Sequence, residues 1–252
     1  MYLVSPVGPP AQGLRHANKE NMLSFDKANL QRNWGHVLLT DRKRFYLNYP
    51  GSRVKPTRWV FEGEHEEVGV FQPTNPQCVN VYAGISPYGM TVMHVVAGSS
   101  KHTTPYKTKL GKCARNITSA KYKEVLQKTL LPEGTRMFTL QGISTWYLQQ
   151  DNDPTHGVAR EVVKQLNVVK SSSVQLLPHW LPSSPDLNII ENVWAWVQQK
   201  VNKQGCPGLD QFQQAVKDAI ASVPRNMISN LYKSSKRRME LVIEKQGGLT
   251  GY

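Results

Sequence analysis

The 252-residue chain is 39% hydrophobic and 19% charged, enough apolar material for one sizeable core, and no run approaches the ~18 apolar residues of a membrane helix. Lys and Arg number 31 against 18 acids, and the resulting +13 favours a polyanionic partner, most simply nucleic acid. Cys78, Cys113 and Cys206 are odd in number and lack a CxxC pair, which argues against a disulfide framework or a zinc site. With an opening "MYLVSPVGPPAQG" unlike a signal peptide, an intracellular setting is expected.

In chain order, residues 1–22 are rich in Pro and Gly and are expected to be a loose lead-in to one domain over 23–252. "NMLSFDKANLQRNW" offers a short helix. "HVLLTDRKRFYLN" predicts a strand ending at Asp41, a tight bend and a second strand. Residues 50–77 are polar and Pro-rich, with Trp59 and Phe61 in a long loop. "CVNVYAGISPYGMTVMHVVAG" is a hairpin turning at "SPYG". A helix capped at Thr118 or Ser119 presents Tyr122, Val125, Leu126 and Leu130 on one face and should stop near Pro132 and Gly134. "TWYLQQ" is a strand that runs into "DNDPTH". A helix follows with Val158, Ala159, Val162, Val163 and Leu166, then the short strand "SVQLLP". The last three helices carry Ile190–Val201, Leu209–Val223 and a basic final segment. The order implies an α/β domain with a mixed central sheet flanked by helices.

Basic residues cluster at 41–45 ("DRKRF"), 101–115 and 233–238 ("KSSKRR"). Arg42, Lys43, Arg44, Lys236, Arg237 and Arg238 are therefore candidate phosphate contacts. Phosphodiester chemistry with divalent metals needs carboxylates converging from separate elements, because hard cations prefer oxygen ligands. Asp41 and Asp151 are expected at strand ends. "PSSPDLNIIENVW" adds Asp186, well placed to cap a helix, and Glu191, one turn inside it among core residues.

"LLTDRKRF", "VNVYAGISPYG", "LQQDNDPTH", "WLPSSPDLNIIENVW" and "RRMELVIEKQGG" occur in an order that resembles the catalytic region of Tc/mariner superfamily transposases, from about Leu23 onward. The resemblance implies a ribonuclease H-like fold and a D-D-E metal triad at Asp41, Asp151 and Glu191, with Asn152 and His156 beside the second acid. It implies Mg²⁺, with Mn²⁺ as substitute and two ions in all, and double-stranded DNA (transposon ends and target) as the partner. It further implies end cleavage followed by strand transfer, a possible homodimer, no membrane association and, in a eukaryote, a nuclear location.

This sequence departs from the pattern in three places. Between Asp151 and Glu191 lie 39 residues, whereas Asp151 and Asp186 are separated by 34, the familiar count of the family. The motif alignment selects Glu191. Arg42 stands where such proteins usually have an acid. Only about 40 residues precede Asp41, too few for the paired helix-turn-helix modules of the family, so specific end recognition by this chain is not expected. The alternative reading is a catalytically inactive, transposase-derived DNA-binding protein; a nuclease acting on RNA–DNA hybrids is a third.

Overall fold

A computed structural model of the protein describes residues 16–47, 78–96, 117–169, 173–178, 180, 187–202, 204, 206 and 208–248. Asp186, the basic segment 101–115, Trp59 and Phe61 lie outside the described residues. No helix among those described is long and apolar enough to cross a membrane.

β1 (Val37–Tyr46) is the central strand, and period-two alternation along it decides which layer each side chain joins. Val37, Leu39 and Phe45 enter one core with β2 (Cys78–Ser86), α1 (His16–Asn29), α5 (Ile190–Asn202), α6 (Leu209–Ala221) and α7 (Arg225–Glu244). Leu38 points the other way. It joins Tyr82 and a second core built by α2 (Ser119–Val125), α3 (Leu131–Thr139) and α4 (Ala159–Val169). The result is a sheet between two helical layers. Its strand order is β3-β2-β1-β5-β6, with β3 (Gly89–Met90) and β6 (Ser173–Leu176) at the edges and β4 (His94–Val95) pairing with β2. β1 runs antiparallel to β2 and parallel to β5 (Thr145–Gln149), so the sheet is mixed, as expected. The Tyr232 hydroxyl fastens α7 to this frame, 2.6 Å from the Ile85 carbonyl and 3.0 Å from that of Val37.

Four expectations are corrected. β1 does not bend after Asp41: it pairs with β2 continuously from Leu39↔Ile85 to Tyr46↔Cys78, so Asp41 lies in mid-strand. The run Arg42–Arg44 is tolerated there because its side chains are only half buried, at the margin of the sheet's covered area. α1 starts at His16, inside the stretch assigned to the lead-in. Cys78 is disulfide-bonded although the cysteine count suggested otherwise; three cysteines leave room for one bond, and Cys206 is free.

The fourth correction concerns Pro132 and Gly134, which do not end their helix. Leu126–Leu130 form a π-helical turn, with the Leu131 N–H reaching back to the Leu126 carbonyl, and Pro132 then falls in the first turn of α3. A proline inside this continuous run lacks the N–H that would bond back one turn, and it sits directly after the π-turn, where the hydrogen-bond ladder changes register. Gly134 is needed because α3 presses on the sheet at that point: a Cβ would lie 2.6 Å from Trp146 Cη2 and 3.0 Å from Leu38 Cδ2. Gly134→Ala is therefore expected to destabilise by about 1–3 kcal/mol, each kcal/mol lowering Tm by about 2–4 °C. A thermal melt checks this. A rise in Tm, as an unconstrained helical Gly→Ala would give, contradicts the packing described.

Candidate functional site

Parallel pairing of β1 with β5 aligns Val37 with Tyr147, Leu38 with Leu148 and Leu39 with Gln149. Asp41 and Asp151 each follow the last of these pairs by two residues, so both lie just past the point where the two strands part. The ladder itself stops at Gln149, whose side chain and carbonyl take the backbone N–H and hydroxyl of Thr40 at 3.0 and 2.5 Å. β5 then breaks away while β1 continues, opening a notch floored by Asp41.

α5 covers the notch. Trp194 Nε1 donates to Asp41 Oδ2 at 2.8 Å, and Glu191, three residues earlier on the same helix face, comes over the strand. Lys43, two residues after Asp41 and thus on the same face of β1, reaches Glu191 Oε2 at 3.3 Å. Both partners are about a third exposed or more (34% and 41%), so this ion pair contributes little to stability. Burial pushes the Asp41 carboxyl up to about 7, and the negative charges of Glu191 and Asp151 push the same way.

Asp151 opens a chain reversal. Its Oδ1 lies 2.6 Å from His156 Nδ1 and accepts the Asp153 N–H at 3.2 Å. Burial acts to raise this carboxyl, but the hydrogen bond and field of His156, the Asp153 N–H and the Arg42 charge outweigh it and hold the group below its ordinary range. Asp153 caps the 3₁₀ turn Pro154–Val158 by accepting the Thr155 N–H at 2.9 Å, as a turn acid should. Asn152 donates to the Trp180 carbonyl at 2.6 Å and so ties the reversal to the segment after β6.

The three acids are hard oxygen donors from three separate elements, a set whose chemistry fits Mg²⁺ or Mn²⁺. The group is open, however: among the described residues no three His, Cys, Asp or Glu side chains stand ready to hold an ion. Glu191 is instead engaged with Lys43.

No family model matches the chain. Among curated proteins it is 28% identical over 245 residues to the Caenorhabditis elegans transposable element Tc3 transposase, covering 96% of this chain and 66% of that protein. It is 26% identical over 250 residues to the Caenorhabditis briggsae Tcb1 transposase, covering 98% of this chain and 82% of that protein. The fold matches the crystal structure of the Mos1 mariner transposase catalytic domain with a TM-score of 0.67 at 13% identity, over 96% of this chain and 98% of that one. It also matches a Mos1 paired-end complex with the left transposon end (TM-score 0.70, 14% identity, 99% and 68% covered). A Mos1 paired end complex with Mg gives the same TM-score at 15% identity, with the same coverage. The chain is similar in sequence to Tc-type transposases and in fold to the Mos1 mariner catalytic domain. Its fold is ribonuclease H-like, and it spans about two thirds of the length of the Tc3 protein.

Around this site, the remaining sequence-derived residues separate. Arg42 points to the α2/α4 side of the sheet, opposite Tyr82 in the β2 pairing, with one guanidinium nitrogen buried and unbonded. Arg44 is half-buried and engaged. Lys236 is exposed, and Arg237 is exposed but paired with Glu240 and Glu244. Arg238 is no surface contact: it is 2% exposed and donates to Ser234 Oγ at 3.0 Å and Asn192 Oδ1 at 3.3 Å. Helical spacing explains the correction, because Tyr232, Ser235, Met239 and Val242 are buried on the same face. Sequence reasoning placed Trp194 only in the core and missed its polar edge. The signal was its i+3 spacing from Glu191.

A carboxyl whose folded pKa lies above its unfolded value is destabilising once pH exceeds the unfolded value. For Asp41 the penalty grows from about pH 4 to about 7 and stays constant above that. Asp41→Asn is expected to raise the Tm of the metal-free protein at pH 8 and to lose that advantage at pH 4. Burial pushes Asp26 up to about 7 as well, so the difference between variant and parent, measured across pH, isolates Asp41. A difference independent of pH contradicts the assignment.

Proposed function

We propose that this chain is the catalytic region of a DNA transposase that cuts and rejoins phosphodiester bonds using divalent cations held by Asp41, Asp151 and Glu191. The observation that carries the reading is the Asp41 carboxyl: held by Trp194 on α5, it is raised by burial and by the charges of Glu191 on α5 and Asp151 just past the end of β5. Unneutralised acids gathered in one notch are costly, and a cation removes that cost. The Mos1 structure with Mg and the complex with a transposon end support the choice of cation and of DNA as substrate.

Bound there, Mg²⁺ or Mn²⁺ would supply Lewis acidity and an activated oxygen nucleophile for in-line displacement at phosphorus. The chain's own residues set the geometry. Trp194 fixes Asp41 Oδ2, leaving the rest of that carboxylate directed by β1. Lys43, once separated from Glu191, carries a positive charge at the notch where a DNA phosphate would lie. Exposed Lys236 and the basic segment at 101–115 add charge for a DNA backbone. One notch serves hydrolysis at a transposon end and strand transfer to target DNA, because both are displacements at phosphorus.

A second reading, a DNA-binding relative without activity, is favoured by the Lys43–Glu191 pair and by Arg42 next to Asp41. Nicking of supercoiled DNA distinguishes the two. With Mg²⁺ or Mn²⁺ the parent is expected to nick, and Asp151→Asn and Glu191→Gln are each expected to lose more than roughly 100-fold, beyond the loss typical of residues behind the ligands. Salt-sensitive binding without any cleavage supports the inactive reading. Undiminished nicking in both variants removes the site assignment.

A further inference from the structure

Behind Asp151, on the sheet face opposite α5, an otherwise apolar core contains three polar aromatic side chains. Tyr122 comes from α2, Tyr82 from β2 and His156 from the 3₁₀ turn; Tyr122 is fully buried, Tyr82 is 2% exposed and His156 6%. The imidazole stacks on Tyr122, with centroids 3.8 Å apart and planes at 29°, and meets Tyr82 edge-on at 6.2 Å. Its Nε2 lies 3.3 Å from the Tyr82 hydroxyl and its Nδ1 2.6 Å from Asp151 Oδ1. One tautomer satisfies both contacts: Tyr82 O–H donates to Nε2, and Nδ1–H donates to the carboxylate.

The backbone of the turn is held as well. The Tyr122 hydroxyl donates to Gln150 Oε1 at 2.9 Å, and Gln150 Nε2 donates to the His156 carbonyl at 3.2 Å. Two donors, His156 and the Asp153 N–H, thus converge on Asp151 Oδ1, while no donor among the described residues takes Oδ2. More than half of the Asp151 side chain (57%) is exposed, so these two hydrogen bonds to Oδ1 are what orients its carboxylate among the described residues. Burial keeps the hydroxyls of Tyr122 and Tyr82 protonated, hence able to donate. An apolar trio would fill this space without the cost of satisfying four polar groups.

We propose that Tyr82, Tyr122 and His156 are positioning residues that lock Asp151 by its Oδ1 and present Oδ2 to a divalent cation shared with Asp41. The inference rests on the metal-site reading above and gives it a supporting layer built by residues from three elements. Groups that orient a metal-binding side chain from behind typically account for 10–100-fold in affinity.

Mn²⁺ binding, followed by titration calorimetry and by the electron paramagnetic resonance signal of bound Mn²⁺, tests this without reference to catalysis. The full chain is expected to bind Mn²⁺, and His156→Ala to weaken it roughly 10- to 100-fold. His156→Asn, whose amide N–H can replace Nδ1–H, is expected to recover much of that loss, whereas His156→Phe, which restores only the stack, is not. Tyr82→Phe keeps shape and packing and is expected to cost about fivefold, the worth of one neutral hydrogen bond. It serves as the deciding variant should His156→Ala not fold. Parental affinity in both Tyr82→Phe and His156→Phe, or rescue by Phe in place of Asn, overturns the positioning role while leaving the metal site standing. Absence of Mn²⁺ binding by the parent overturns both.

Discussion

The hydrogen bond from Trp194 Nε1 to Asp41 Oδ2 joins the two parts of the molecule on which the site depends, the central strand and the first turns of α5. Asp41 is worth burying only if something answers its charge. That answer is incomplete: the Arg42 backbone N–H and the Trp194 indole N–H, set against burial and two neighbouring carboxylates, leave the group near pKa 7. The fold therefore carries a local cost that its cores must offset. Buried aromatic residues line both cores, Trp194 and Phe45 on one face and Trp146 and Phe138 on the other, each pair in ring contact.

Strand register supplies the other constraint. A parallel pair in which Leu39 meets Gln149 sets Asp41 and Asp151 each two residues past that pair, where the departure of β5 after Gln149 leaves an opening. A one-residue slip would send every alternate side chain to the wrong layer, exchanging Asp41 for Arg42. The Thr40 contacts to the side chain and carbonyl of Gln149 hold the register at the point where the ladder ends. Sheet pairing thus places Asp41, the end of β5 places Asp151, and α5 carries Glu191.

Much of this was legible in the sequence. The hairpin, β5, β6 and the three last helices followed from apolar periodicity, and family motifs pointed to Asp151 and Glu191. β1 was not legible as one strand, because Asp41-Arg42-Lys43-Arg44 reads as a polar bend until a site is known to need charges in mid-strand. The helix across Pro132 was hidden for a local reason, a π-turn just before the proline that carries the helix past it. Tyr82, Tyr122 and Trp194 looked like core residues, and they are. Their hydroxyl and indole N–H groups gain meaning only when pairing and packing show which atoms they reach. "YLQQDNDPTHGV" divides accordingly: Asp153 caps the turn, Asn152 ties it to Trp180, and His156 takes hold of Asp151.

The central claim is that Asp41, Asp151 and Glu191 together form a divalent-cation site. A crystal structure of the protein soaked with Mn²⁺, with the ion located by its anomalous scattering, tests it most directly. Density is expected between Asp41 and Asp151, with Glu191 released from Lys43 and turned to the same site. Density held by Asp186 in place of Glu191, or a notch that stays empty with the Lys43–Glu191 pair intact, would contradict it.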